Sequence, residues 1–147
     1  MRKIAVILII SMLCIITGCT NKKVINNDCI YRGENEFWIA EYKVNGTGTF
    51  TEKNNKTNYE SKCSEILIVT YKKDLSELSS VKHLEISYKS SAGEGEMTEN
   101  FDDGPPSEKT YTIKSGSTNG AIENKDEIIQ VNIDVDGKTQ IIELKNE

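Results

Sequence analysis

The sequence predicts an all-β chain: an antiparallel β-sandwich of immunoglobulin-like architecture with seven to eight strands. Three observations carry this. Apolar residues recur with a period of two in one segment after another. Clusters of Gly, Asn, Asp, Ser and Pro punctuate these segments at short intervals. No long stretch has the 3.6-residue period of an amphipathic helix. The 147 residues are enough for one ordinary domain, and neither an internal repeat nor a second domain is evident.

The elements follow in order. Trp38, Ala40, Tyr42 and Val44 alternate with Ile39, Glu41 and Lys43, which predicts a strand with Trp38 facing the core. Asn45-Gly46 then predicts a tight hairpin, since both residues accept positive φ. Thr47 to Lys53 reads as an exposed edge strand that could add to a partner's sheet. Asn54 to Asn58 is a polar turn. Glu65 to Lys72 is apolar on both faces and predicts a central strand. Asp74 to Ser80 suits one helical turn capped by Asp74 with Glu77 three residues on. Val81 to Lys89 alternates again, with Leu84, Ile86 and Tyr88 on one face and His83, Glu85 and Ser87 on the other. Ser90 to Gly95 turns the chain. Glu96 to Phe101 is expected to pair with Lys109 to Lys114 across Asp103-Gly104-Pro105-Pro106, because proline cannot donate to a ladder. Ser115 to Gly120 is a further turn. Ile128 to Val135 and Lys138 to Leu144 form a last hairpin closed by Asp136-Gly137. The order Cys29, Trp38, Cys63 invites comparison with a true immunoglobulin domain. The second cysteine comes too early for that inter-sheet bridge, so the likeness is architectural only.

The first residues carry a different message. Arg2 and Lys3 precede an apolar run from Ile4 to Ile16, interrupted at Ser11 and followed by Thr17-Gly18-Cys19. The run is shorter than the ~20 residues a spanning helix needs, but it has the form of an export signal. Ile16-Thr17-Gly18-Cys19 resembles the lipobox of bacterial lipoprotein signal peptides, with Ile where Leu is commoner. The resemblance implies cleavage between Gly18 and Cys19, removal of residues 1–18, and a diacylglyceryl group on the Cys19 thiol. It divides the chain into a signal peptide (1–18), a lipidated Cys19 with a polar tether (19–27) and a β-sandwich domain (28–147). The protein would then sit on the extracytoplasmic face of the cell membrane, held by lipid. As a whole the chain resembles the small all-β lipoproteins of Gram-positive bacteria that carry no assigned activity.

Charge and cysteine usage narrow the function classes. The chain has a net charge of −5, and removal of Arg2 and Lys3 would leave the domain more acidic still. An acidic domain is repelled by nucleic acid and by anionic lipid headgroups, so no nucleic-acid partner is expected. Cys14 would leave with the signal and Cys19 would be lipidated. Cys29 and Cys63 remain, and in an exported protein a bridge between them is expected, with two free thiols as the alternative. Metal binding by this pair is disfavoured, since a single histidine, His83, leaves few soft ligands for zinc.

No catalytic constellation stands out. His83 with Glu85 and Ser87 lacks a nucleophile elbow and an oxyanion loop, and reads as a solvated strand face. Glu94, Glu96, Glu99, Asp102 and Asp103 form an acidic hairpin without calcium-loop spacing. Asp134-Val135-Asp136-Gly137 starts like such a loop but has Lys145 where the closing Glu belongs. Phe37, Trp38 and Tyr42 could form an aromatic platform, but core packing suits their parity better. The expectation is a membrane-anchored binding or structural protein of the cell envelope, not an enzyme and without a cofactor. The alternative is a small regulator or inhibitor of an exported enzyme or envelope complex.

Overall fold

The computed structural model describes residues 21–53 and 56–146. Gly18 and Cys19 lie outside the described residues. The chain forms eight strands: β1 (Asn21–Glu34), β2 (Trp38–Lys53), β3 (Lys56–Tyr71), β4 (His83–Lys89), β5 (Glu94–Asn100), β6 (Thr110–Thr118), β7 (Ile129–Val135) and β8 (Lys138–Asn146). The all-β class and the strand number are those expected from the sequence. The layering differs from the expected sandwich. Hydrogen bonding links all eight strands into one antiparallel sheet of order β5-β4-β7-β8-β1-β2-β3-β6. The sheet curls until its edge strands, β5 and β6, touch without a ladder between them. It is a nearly closed barrel.

The seam between β1 and β8 is narrow, pairing only Tyr31 with Asn146 and Arg32 with Lys145. It depends on Gly33. A side chain there would run into the backbone carbonyl of Glu143, so only glycine lets the two strands come this close. Elsewhere the alternation works as read. Trp38, Ala40, Tyr42 and Val44 are all buried, as are Leu84, Ile86 and Tyr88 on β4 and Ile129, Val131 and Ile133 on β7. Trp38 packs edge-on against Tyr71, with ring centroids 4.9 Å apart.

Several local expectations hold. A single 3-10 turn spans Leu75–Leu78, and the Asp74 carboxylate caps it by accepting from the Ser76 backbone N–H at 2.8 Å. Asp136 and Gly137 take φ of 51° and 81° at the β7–β8 hairpin, the positive values its two-residue turn requires. The Asp136 carboxylate also accepts from the backbone N–H groups of Lys82 and His83, at 3.0 and 2.8 Å. β3 is central, flanked by β2 and β6.

Four expectations are corrected. Asn45-Gly46 is not a turn. β2 runs straight through it, with Gly46 paired to Asn27 on one side and Cys63 on the other. The chain reverses instead between Lys53 and Lys56, which pair with each other. Second, Thr47–Lys53 is not an edge, because β1 covers one side of it and β3 the other. It has no free ladder to offer a partner. Third, the segment read as a polar tether is in part strand, since β1 begins at Asn21. Fourth, β5 and β6 do not pair. β5 joins β4 and β6 joins β3, so the Asp103–Pro106 connection spans the open seam of the barrel.

Beyond the barrel, β1, β2 and β3 continue as a three-stranded arm comprising residues 21–27, 46–53 and 56–62. Its outer part is exposed on both faces. Ile25, Phe50 and Tyr59 stand there uncovered, with the Phe50 and Tyr59 rings 4.6 Å apart. Among the described residues no helix is long and apolar enough to cross a membrane.

Candidate functional site

The inward face of β3 changes character along its length. Leu67, Val69 and Tyr71 line an apolar end of the barrel, whereas Ser61, Cys63 and Glu65, on the same face, are buried at the other end. Strand parity forces this: residues two apart share a face. The polar end is closed by the connection between β6 and β7, residues 119–128, which crosses the barrel mouth and inserts Glu123.

This strap is tied down on three sides. Asn27 Nδ2 donates to the Glu123 carbonyl and the Tyr31 hydroxyl to the Asn124 carbonyl, each at 2.8 Å. Ser61 Oγ donates to the Gly120 carbonyl at 2.7 Å. In the β4–β5 turn, Ser91 Oγ donates to the Glu127 carboxylate at 2.6 Å. Ile122 presses on the backbone of Gly46, where an added Cβ would lie 2.8 Å from Ile122 Cγ2. Gly46 therefore serves as the seat of the strap and not as a turn residue.

Beneath the strap lies a cluster of polar groups. Glu123 is 1% exposed. Its Oε1 accepts from the Tyr42 hydroxyl at 2.7 Å and from Ser90 Oγ at 2.9 Å, while its Oε2 has no partner. Glu65 is 4% exposed, and its Oε2 accepts from Ser115 Oγ at 2.7 Å. Ser115 Oγ lies 2.6 Å from the Tyr88 hydroxyl, which extends the network. Cys63 Sγ and one carboxylate oxygen from each of Glu65 and Glu123 all lie within 4.8 Å of one another. Among the described residues neither glutamate forms an ion pair; those found join Arg32 and Lys43 to Glu41 and Lys72 to Glu34, all near the surface.

The electrostatics fit such a site. Burial, reinforced by the Glu65 carboxylate and the charge of Glu123, pushes the Cys63 thiol up to about 12. Burial and the hydrogen bond to Glu123 raise the Tyr42 hydroxyl far above its ordinary value. Burial raises Tyr88 as well, against the lowering effect of its hydrogen bonds to Ser115 and Tyr42. An uncompensated buried ion costs several kcal/mol, roughly. The cluster sets two glutamate side chains beside a thiol, and no ion pair found among the described residues reaches them.

The residues singled out from sequence are distributed differently. Cys29 and Cys63 are both buried and both free, so the expected bridge is absent. β2 runs between them, Cys29 pairing with Val44 and Cys63 with Gly46. Two strand spacings and a two-residue offset along the strands put their Cα atoms more than about 10 Å apart, beyond the ~7 Å a disulfide tolerates. His83 sits on the half-exposed face of β4, with Nδ1 2.8 Å from Asn100 Oδ1 and no nucleophile beside it. Trp38 is core, not platform. Glu94, Glu96, Glu99, Asp102 and Asp103 are exposed. Asp134 instead stabilises its own hairpin, accepting from the Gly137 N–H and from Thr139 Oγ1. Glu65 and Glu123 were not anticipated as site residues. For Glu65 the signal was present, as it shares parity with Leu67 and Val69 and so must point inward. Glu123 lies in a segment with no periodicity, and nothing local marks it. A groove of about 530 Å³ lined by Met97, Phe101, Pro105 and Tyr111 opens at the β5/β6 seam, but the polar cluster is not part of it. No protein family, curated protein or solved structure matches the chain.

Proposed function

We propose that the protein is a membrane-anchored extracytoplasmic lipoprotein with a binding role, its lipid carried on Cys19 and its β1–β3 arm held at the bilayer surface. The observation that carries this reading is Ile16-Thr17-Gly18-Cys19 at the end of the Ile4–Ile16 apolar run, behind the basic Arg2-Lys3 pair. Two or three acyl chains on one residue anchor stably, where a single chain holds only reversibly.

Two features support the orientation. The chain is already in β1 at Asn21, two residues after Cys19 in sequence. The arm also combines Lys22, Lys23, Lys53 and Lys56 with the uncovered side chains of Ile25, Phe50 and Tyr59. Basic and aromatic groups together suit the interface of an anionic membrane, although the chain as a whole is acidic. A binding role is favoured over turnover because the polar cluster lies buried beneath the strap.

Replacing Cys19 with Ala tests the anchor. The wild-type chain is expected in the membrane fraction, with the mass of a chain beginning at acylated Cys19. Cys19→Ala is expected to lose membrane retention. Retention of the variant, or an unmodified wild-type Cys19, would contradict the reading.

A further inference from the structure

We propose that Cys63, Glu65 and Glu123 form a binding site for one borderline-soft divalent cation of the zinc class. The three ligand atoms already lie within 4.8 Å of one another. A cation at the centre of such a triangle is about 2.8 Å from each atom at most, against ~2.0–2.3 Å for zinc bonds to oxygen and sulfur. A contraction of at most about 0.5 Å for the sulfur and about 0.6–0.8 Å for each oxygen would complete the contacts.

Proximity alone would not make a site. The independent observation is Glu123 Oε2, which is buried and has no partner, while Oε1 of the same carboxylate is held by two hydroxyls, Tyr42 and Ser90. Glu65 is likewise fixed through Oε2, by Ser115. This is how outer-shell groups orient metal ligands: they grip one atom and leave another for the ion. A buried, unsatisfied carboxylate oxygen otherwise costs free energy without return.

The donor set selects the ion. Calcium takes six to eight oxygen ligands and magnesium prefers oxygen and water, whereas a thiolate with two carboxylates suits a tetrahedral zinc-class ion with one position left over. On binding, the Cys63 S–H bond breaks, its proton leaves to solvent and a sulfur–metal bond forms. Thiolate and two carboxylates then carry three negative charges against two positive. The hydroxyl donors of Tyr42, Ser90 and Ser115 offset the excess. This site and the lipid anchor stand on separate residues, so either assignment can fail without the other.

The test uses the full chain purified in detergent, stripped of metal with chelator and titrated with Zn²⁺ alone or Co²⁺ alone. The wild-type chain is expected to bind one Zn²⁺ per chain and to give a near-ultraviolet thiolate-to-Co²⁺ charge-transfer band. Cys63→Ser should abolish the band, and Glu123→Gln should weaken Zn²⁺ binding at least tenfold. Cys29→Ser should change neither, and a hundredfold excess of Ca²⁺ should not displace the ion. Absence of the band in the wild type would overturn the proposal whether or not any variant folds. So would a band that survives in Cys63→Ser, which would assign it to another cysteine, or displacement by Ca²⁺.

Discussion

The two ends of the barrel are built from the same strands yet hold opposite interiors. Toward one end β2 and β3 contribute Trp38, Ala40, Leu67, Val69 and Tyr71; toward the other, Tyr42, Gly46, Ser61, Cys63 and Glu65. The apolar end needs nothing further, because burial of its side chains is favourable in itself. The polar end places two carboxylates, a thiol and several hydroxyls where water does not reach, under a strap that serves to close it. A chain optimised only for stability would fill both ends alike. The contrast marks the apolar end as scaffold and the polar end as the part with a task.

Mutations separate the two ends by size of effect. The largest belongs to the apolar end. Trp38→Ala removes a side chain that is 1% exposed and should cost about 3–5 kcal/mol, measured by denaturant unfolding. At the strap, Gly46→Ala forces a methyl group against Ile122, 2.8 Å from its Cγ2. It should cost about 1–3 kcal/mol, with faster amide exchange confined to residues 119–128. Uniform exchange across the barrel would mean that the strap is not a separate unit.

Alkaline titration compares the ends next. Folded-state values above the ordinary ones stabilise the fold below the ordinary value, and that stability is lost as pH rises. Cys63 is raised to about 12, Tyr111, at the apolar end, also to about 12, and Tyr42 further still. Metal-free protein should therefore lose stability as pH rises from the ordinary thiol and phenol range toward 12. Tyr42→Phe and Tyr111→Phe should flatten that loss alike up to about 12, and only Tyr42→Phe should go on flattening it at higher pH. The reverse pattern would place the electrostatic load at the wrong end. The smallest effect is that of Glu123→Gln without metal, within about 1 kcal/mol of wild type, because it removes a buried charge and keeps an acceptor for Tyr42 and Ser90. A loss as large as that of Trp38→Ala would make Glu123 a structural keystone and erase the contrast.

Much of the fold was legible because alternation is local. The parity of Trp38 to Val44 and of Val81 to Lys89, the Asp74 cap and the Asp136-Gly137 turn each follow from a few neighbouring residues. What was not legible depends on partners far along the chain. Asn45-Gly46 has the composition of a turn, but its glycine is needed where Ile122 crosses it. Whether β5 joins β6 or β4 depends on how far the whole sheet curls, and short strands do not encode that. The disulfide failed for the same reason: both cysteines are buried, yet β2 lies between them. The site was half visible. Cys63 and Glu65 share an inward face by spacing alone, whereas Glu123 joins them only through the strap.

The most direct measurement is X-ray absorption at the zinc edge on the Zn²⁺-loaded full chain. The account predicts one sulfur at about 2.3 Å with the remaining ligands oxygen at about 2.0–2.2 Å, and loss of the sulfur shell in Cys63→Ser. A first shell without sulfur, or with two or more sulfurs, would contradict it.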